Sequence, residues 1–523
     1  SSATAPNAAD FGGALIGEER VDVVADSTAP AAARTVVLWQ PSTSLARDTS
    51  RLLAGLADDA TQTLAFVASR AGAELTSLEA AELAAEPGRI ASYRGGYLAM
   101  ERRDLEAALH TGEILGLATT NALELGIDVS GIDAVLVSGF PGKLSAFWQQ
   151  AGRAGRAGRE ALVVLLAREN PLDAYLLQHP ELIFDAPVEA AICHPQNPHV
   201  LGPHLAAAAQ EHPLTVADER WFGPTALPLA AHLAAGKVLR DRGGTWYWTR
   251  PDRAVDHINL RSTTPRPVEI IERSTGQVIG VVDPAAADRT VHRGAVYLHQ
   301  GRSFVVTELD VEERRAMVVA AHNPWYTQAE SAQDIAVLRE QRSRPLGSTT
   351  LHFGDVRLSW QVTGYLRRDE TTHEVLDSTP LDCPEHTLTT QAVWWSVPET
   401  LERELGWGSL QLGAAAHAAE HTSIGLLPAF APCDRWDIGG VSTARHPDTG
   451  LATVFVHDGL PGGAGFAARA HEVAEQWLAA TLERLRTCRC ETGCPACVVS
   501  PKCGNANQVL DKTAATELLR RIL

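Results

Sequence analysis

Between about residues 34 and 166, short β-branched or apolar runs alternate with amphipathic stretches. A strand that needs a crossover before its parallel neighbour produces that alternation, so the segment predicts a parallel sheet covered by helices. Strands are expected at 36–38, 64–67, 90–92, 115–118, 134–137 and 162–166, and a helix over 101–109 whose Leu105, Ala108 and Leu109 share a face. Ligands of such sheets bind beyond the carboxyl ends of the strands. The loop after Ala118 and the segment before Leu162 are therefore the places where chemistry is expected.

The pattern changes after residue 190. Helical stretches at 206–211 and 227–235 precede Val238-Leu239-Arg240, a Gly243-Gly244 turn and Trp246-Tyr247-Trp248. Two apolar strands around a Gly-Gly turn make a hairpin, and helices followed by a hairpin predict a winged helix. From 268 to 397 strands dominate, at 268–271, 278–282, 296–298, 304–307, 317–320 and 393–395, which predicts a small β domain, a barrel being one form it can take. The last stretch mixes helices at 414–426 and 466–486 with a strand at 453–457 and a cysteine cluster. The fold class is thus multidomain α/β, with boundaries expected at 1–33 (linker), 34–190 (parallel-sheet lobe), 191–262 (winged helix), 263–400 (β-rich domain) and 401–523 (α/β C-terminal domain).

Composition narrows the function. A formal net charge of -18 over 523 residues argues against a general polyanion binder, because nonspecific nucleic-acid affinity comes from neutralising phosphates with Lys and Arg. Any nucleic-acid contact must be local. No apolar run reaches membrane-spanning length, and Ser1-Ser2-Ala3-Thr4-Ala5-Pro6-Asn7 lacks the basic and apolar regions of a signal peptide. A cytoplasmic, unexported protein with no membrane partner is expected, as a monomer. The first residue is not Met and the sequence enters in mid-fold, so a fragment is expected.

The strongest motif is Gln149-Gln150-Ala151-Gly152-Arg153-Ala154-Gly155-Arg156, a Q-x-x-G-R-x-G-R pattern. Two arginines three apart can converge on a polyphosphate, and small residues let another lobe approach closely. An arginine reaching a γ-phosphate from a separate domain stabilises transition-state charge. Upstream, Ala118-Thr119-Thr120-Asn121-Ala122-Leu123-Glu124-Leu125-Gly126-Ile127-Asp128 offers hydroxyls on a strand-end loop and a Gly-x-Asp turn. Hydroxyls suit phosphate oxygens, and the turn can set a carboxylate beside a ribose.

Together these segments resemble motifs V and VI of superfamily 2 helicases. Ser2-Ala3-Thr4 resembles motif III, Thr63-Leu64-Ala65-Phe66-Val67-Ala68-Ser69-Arg70 resembles motif IV, and Tyr93-Arg94-Gly95-Gly96-Tyr97 with Glu101-Arg102-Arg103 resembles the next family segment, in the family's order. The resemblance implies a second RecA-like lobe in which Arg153 and Arg156 contact the ATP phosphates and Gln149 lies near the nucleotide. It implies that Gly126 and Asp128 face the ribose, that Ser69, Arg70, Thr119 and Thr120 touch the DNA backbone, and that Ser2 and Thr4 couple the lobes. A phosphate-cradling G-x-x-x-x-G-K-[ST] and an acidic box for Mg²⁺ are missing, and Gly142-Lys143-Leu144 has the wrong third residue. The first, N-terminal RecA-like lobe is therefore expected to be left off, and the chain alone is expected not to turn over ATP.

Eight cysteines are present, five of them between Cys488 and Cys503, a bunching that in an unexported chain points to a metal. Cys490, Cys494, Cys497 and Cys503 give four thiolates with Gly493, Pro495, Pro501 and Gly504 bending the chain, a set that suits a closed tetrahedral Zn²⁺ site. Cys488 is the substitute for Cys490, and iron–sulfur is the alternative metal. The segment 488–507, with 433–440 and 461–466, resembles the C-terminal domain of MrfA-type helicases, the mitomycin repair family. That resemblance implies a 3′-to-5′ DNA translocase in repair, with structural zinc, using ATP and Mg²⁺ on single-stranded DNA at a duplex junction.

Competing readings are a noncatalytic DNA-binding or scaffolding module and, on His417-Ala418-Ala419-Glu420-His421, a metal-dependent hydrolase. The latter lacks an identifiable third ligand. Amides of Pro461-Gly462-Gly463-Ala464-Gly465 could bind an anion, although a tight strand-to-helix turn needs the same glycines. On the wing, alternation puts Trp246 and Trp248 on one face and Tyr247 on the other, leaving Arg240 and Arg242 for phosphates.

Overall fold

The computed structural model describes all residues except 1–6, 19, 26–32, 95–96, 98, 125–131, 156–159, 191, 259–266, 300–301, 371, 373, 436, 502 and 506. They form two compact units, Ser1–Ala191 with His421–Arg435 and Gln476–Val499, and Ile192–Glu420 with Trp436–Glu475 and Ser500–Leu523. No helix among the described residues is long and apolar enough to cross a membrane.

The first unit is built on strands β1 (Arg34–Trp39), β2 (Thr63–Phe66), β3 (Ile90–Tyr93), β4 (Gly116–Thr119), β5 (Ala134–Ser138) and β6 (Ala161–Leu166), in the order β1-β6-β5-β2-β4-β3. All pairings are parallel. Central strands buried on both faces read as continuous apolar runs, which is why Ala134-Val-Leu-Val-Ser138 shows no alternation. Helices Leu45–Asp58 and Arg70–Leu83 cover one face through Leu53, Ala54, Ala57 and Ala80. Helices Ala99–Thr111 and Leu144–Ala151 cover the other through Leu109, Phe147 and Ala151. Leu53, Leu64, Leu117 and Leu136 are essentially sealed from water, each burial contributing about 1.5–3 kcal/mol. The C-terminal segments of this unit join the same body: the Trp477 indole donates to the Ser423 carbonyl at 2.7 Å, and a side chain at Gly425 would meet Pro171 at 2.7 Å.

In the second unit, helices Pro198–Glu211 and Ala226–Ala235 pack with β7 (Leu214–Thr215), β8 (Leu239–Asp241) and β9 (Thr245–Trp248), in sheet order β7-β9-β8. This is the winged helix. An open five-stranded sheet follows, β10 (Val268–Glu272), β11 (Val278–Val282), β12 (Val296–His299), β13 (Arg302–Asp310) and β14 (Arg315–Ala320), ordered β11-β10-β14-β13-β12.

A further sheet, antiparallel throughout, was not expected. Strands β15 (Trp325–Leu346) and β16 (Thr349–Asp369) form one long hairpin, extended by β17 (Val375–Pro380), β18 (His386–Ser396), β19 (Ile438–Thr443) and β20 (Thr453–Asp458). Ile335, Val356, Leu358, Ala392, Trp394 and Phe455 make its core. Because β18 pairs with β20, the boundary expected at 400 runs through one sheet. The expected helix at 466–486 is two, Phe466–Glu472 and Ala474–Thr487.

Candidate functional site

Two loops meet beyond the carboxyl ends of the parallel strands. After β4 the chain makes a short helical turn, Asn121–Leu123, whose first amides are capped by the Thr120 hydroxyl, and reaches Glu124. The helix Leu144–Ala151 brings Gln150 and Arg153 to that turn. The Gln150 amide donates to the Glu124 carboxylate at 2.9 Å, and the Arg153 guanidinium donates to the Glu124 carbonyl at 2.6 Å. Backbone bonds from Ile132 to Arg153 and from Gly155 to Ile132 tie the same segments together. The glycines of the pattern are required by geometry. Gly155 has φ +110°, and a Cβ on Gly152 would lie 2.9 Å from the Trp148 carbonyl.

Gln149 and Arg153 are half-buried on this rim. Arg156, Gly126, Asp128, Ser2 and Thr4 lie outside the described residues, as does the Arg70 side chain. Ser69 caps the helix after β2, accepting from the Gly72 amide at 2.9 Å. Thr119 is buried at the end of its strand, and its hydroxyl donates to the Thr120 carbonyl. Thr120 is itself mostly buried. Arg94, from the neighbouring family segment, pairs with Glu74 and lies over the Tyr97 ring. The amides after Lys143 are occupied by the Glu189 carboxylate, at 3.0 Å to Leu144 and 3.2 Å to Ser145, so the helix start beside Gly142-Lys143 is filled from within. Glu124, the residue that joins the two loops, was not singled out by sequence reasoning. Its one signal is an acid placed inside the loop.

On the wing, Trp246 is buried in the domain core with Trp248 packed against it. Arg240, Arg242 and Tyr247 are exposed, Arg240 opposite Tyr247 in the ladder and the Arg242 guanidinium 5.8 Å from the Tyr247 ring.

The thiols group differently from expectation. Cys488, Cys490, Cys494 and Cys497 converge, with sulfur separations of 3.5 Å (488–490 and 488–494), 3.4 Å (490–497) and 3.7 Å (494–497). A regular tetrahedron of sulfurs around zinc, with bonds of about 2.3 Å, has edges of about 3.8 Å. Disulfides would require about 2.05 Å, and all eight cysteines are free. The donor set therefore fits a closed tetrahedral site. Burial pushes the Cys488 thiol up, but hydrogen bonds from the Cys490 backbone, Arg484 and the neighbouring thiols overcome it and bring it to about 6. Burial pushes Cys494 up to about 11 and Cys497 higher still. A cation is what would ionise those two at neutral pH.

Cys503, expected as the fourth ligand, is not in this group. It lies 3.6 Å from the His417 ring and hydrogen-bonds Asn505 at 2.7 Å. The H-x-x-E-H residues lie on the helix Ser409–Leu426, where His417 faces Cys503. His421 bonds the Val498 carbonyl at 2.7 Å, and the buried Glu420 accepts from the Ser442 hydroxyl. Burial pushes the Glu420 carboxyl up to about 7. The Pro461–Gly465 loop is likewise filled from within: the Asp458 carboxylate accepts from the amides of Ala464, Gly465 and Ala467 at 2.6–2.9 Å.

Comparison with known proteins follows the same map. Residues 46–158 match the helicase conserved C-terminal domain, 193–263 the winged helix domain of ATP-dependent helicase HRQ1, and 419–498 the MrfA Zn-binding domain. The ATP-dependent helicase YprA of Bacillus subtilis is 32% identical over 515 residues, 95% of this chain and 68% of that protein. The ATP-dependent helicase hrq1 of Schizosaccharomyces pombe is 27% identical over 550 residues, 97% of this chain but 51% of its own length. The crystal structure of the DUF1998 helicase MrfA bound to DNA superposes with TM-score 0.67 at 31% identity, covering 100% of this chain and 71% of that one. The same helicase bound to DNA and AMPPNP gives 0.64 at 30% identity, covering 99% and 69%. The chain belongs to the MrfA-type family of superfamily 2 helicases.

Proposed function

We propose that the chain works as the second RecA-like lobe and accessory domains of an ATP-dependent DNA translocase, moving 3′ to 5′ on single-stranded DNA toward a duplex junction in repair. The observation that carries this reading is the linkage of the loop after β4 to the Q-x-x-G-R-x-G-R helix through Glu124, Gln150 and Arg153. A rim built this way supports a reading in which Arg153 and Arg156 serve the phosphates of a nucleotide held by another lobe. Their role is to stabilise charge on the transferring phosphoryl group. Gly126 and Asp128 belong at the ribose, with Gln149 beside the nucleotide. Ser69, Arg70 and Thr120 belong along the DNA backbone, and Arg240 and Arg242 on phosphates beside the wing. The MrfA structures with DNA and with AMPPNP favour these ligand classes.

Cys488, Cys490, Cys494 and Cys497 would hold a structural zinc, which closes the fold around it and leaves no open coordination position. ATP and Mg²⁺ enter as the substrate complex. The 523 residues contain no G-x-x-x-x-G-K-[ST], so this chain alone is expected to hydrolyse no ATP. The test is ATP turnover by the full-length gene product with and without single-stranded DNA. Strong stimulation is expected, and no turnover under either condition would leave a DNA-binding scaffold instead.

A further inference from the structure

The helix Ala474–Thr487 ends one residue before the first thiol of the cluster. Its last turns face the end of Pro171–Gln178, the helix that follows β6 in the parallel-sheet lobe. The Arg484 guanidinium donates to the Gln178 side-chain oxygen at 3.1 Å, the Thr487 hydroxyl donates to the same oxygen at 3.1 Å, and His179 bonds Glu483 at 3.0 Å. These partners lie about three hundred positions apart in sequence, so no local chain geometry brings them together.

Arg484 is 4% exposed. A buried guanidinium needs acceptors, and besides Gln178 this one meets the Cys488 thiol, one helical turn on, whose amide donates to the Arg484 carbonyl at 3.2 Å. Gln178 supplies only a neutral oxygen. A zinc tetrathiolate is a net dianion, and outer-shell donors to its sulfurs both balance that charge and fix ligand positions. The far end of the cluster is pinned as well, the Thr422 hydroxyl donating to the Cys497 carbonyl at 3.2 Å and His421 meeting the Val498 carbonyl at 2.7 Å. The cluster therefore closes a loop whose other side is the motor lobe.

We propose that Arg484 is a positioning residue that couples the four-thiol metal site to the motor lobe, so that metal occupancy controls the ordering of the Gln178 end of the Pro171–Gln178 helix. With the metal bound, Cys488 is fixed and Arg484 spans it and Gln178. With the metal gone, Cys488 is released, and the bridge to Gln178 loses its anchor. The lobe thereby senses zinc loss or thiol oxidation at a point remote from nucleotide and DNA. This inference rests on the zinc reading of the four thiols, and its test separates the two.

Zinc content and hydrogen exchange are measured on the full-length, zinc-loaded protein before and after a thiol-directed reagent with chelator. Loss of the zinc is expected to raise exchange in 171–179 roughly tenfold, the scale of one lost charge-assisted hydrogen bond, while Ala134–Ser138 stays protected. Gln178→Ala is expected to keep its zinc yet show the same rise in the loaded state. Arg484→Gln should add zinc release about tenfold faster than the parent protein, and Arg484→Lys should restore retention without restoring the link. Protein isolated without zinc overturns the metal reading and with it the inference. Zinc that leaves without moving exchange in 171–179 overturns the inference alone. If zinc removal melts the whole lobe, raising Ala134–Ser138 equally, loaded Gln178→Ala decides: unchanged exchange there overturns the coupling.

Discussion

The parallel sheet of the motor lobe and the long-hairpin sheet of the second unit bury similar residues by opposite means. In the first, strands of four to six residues are covered on both faces, so only their ends reach solvent, and Ser69, Thr120, Glu124 and Arg153 all lie just past β2 and β4 or beside them. In the second, β15 and β16 run for 22 and 21 residues with one strand exposed along its edge. Polar groups there are spread through the interior, Glu420 and Asp458 among them. A sheet sealed on both faces concentrates chemistry into short loops, whereas an open antiparallel sheet distributes structural polarity along its length.

Four measurements test that contrast. The largest effect is expected where the motor-lobe unit depends on its metal. Cys497→Ser should abolish zinc retention and lower the unfolding midpoint by the largest margin of any single substitution, since structural zinc sites carry apparent binding energies on the order of 10 kcal/mol. Zinc uptake by the metal-free protein at pH 7 should release at least two protons, from Cys494 and Cys497, whose thiols burial holds neutral. Calorimetry in buffers of different ionisation enthalpy counts them, and release of fewer than two would contradict the four-thiolate site.

In the hairpin unit the diagnostic residue is Glu420. Its carboxyl binds a proton more tightly folded than unfolded, so stability falls as pH rises from about 4.5 to about 7, and the penalty is complete above that window. Glu420→Gln should therefore stabilise the protein by about 3 kcal/mol at pH 8 and flatten that pH dependence. Equal stabilisation at pH 4 and pH 8 would show that its charge is not the cause. The smallest effect belongs to the wing. Replacing Arg240 and Arg242 by alanine should weaken duplex binding and reduce the salt slope by roughly 2, with no change in unfolding. An unchanged slope would make this wing a packing element.

Legibility in the sequence follows the same contrast. All six motor strands, the winged helix and the arginine loop could be read, because buried parallel strands make uninterrupted apolar runs and their loops carry compact motifs. The long hairpin could not. Its edge strand reads Arg339-Glu340-Gln341-Arg342-Ser343-Arg344, polar on both faces and interrupted by bulges at 337/339 and 340/342, so no two-residue period survives. Of the four converging thiols, three were legible and one was not. Spacing made Cys488 and Cys490 look too close to share a metal, yet the end of the helix Ala474–Thr487 turns the chain there and brings their sulfurs to 3.5 Å. Cys503, better placed in sequence, is drawn to His417 instead.

The central claim is that the arginines beyond the helix Leu144–Ala151 complete a nucleotide site formed with another lobe. Its most direct test is DNA-stimulated ATP turnover by the full-length protein carrying Arg153→Ala and Arg156→Ala together. A fall on the order of a thousandfold is expected with folding intact. Turnover as fast as that of the parent protein would contradict it.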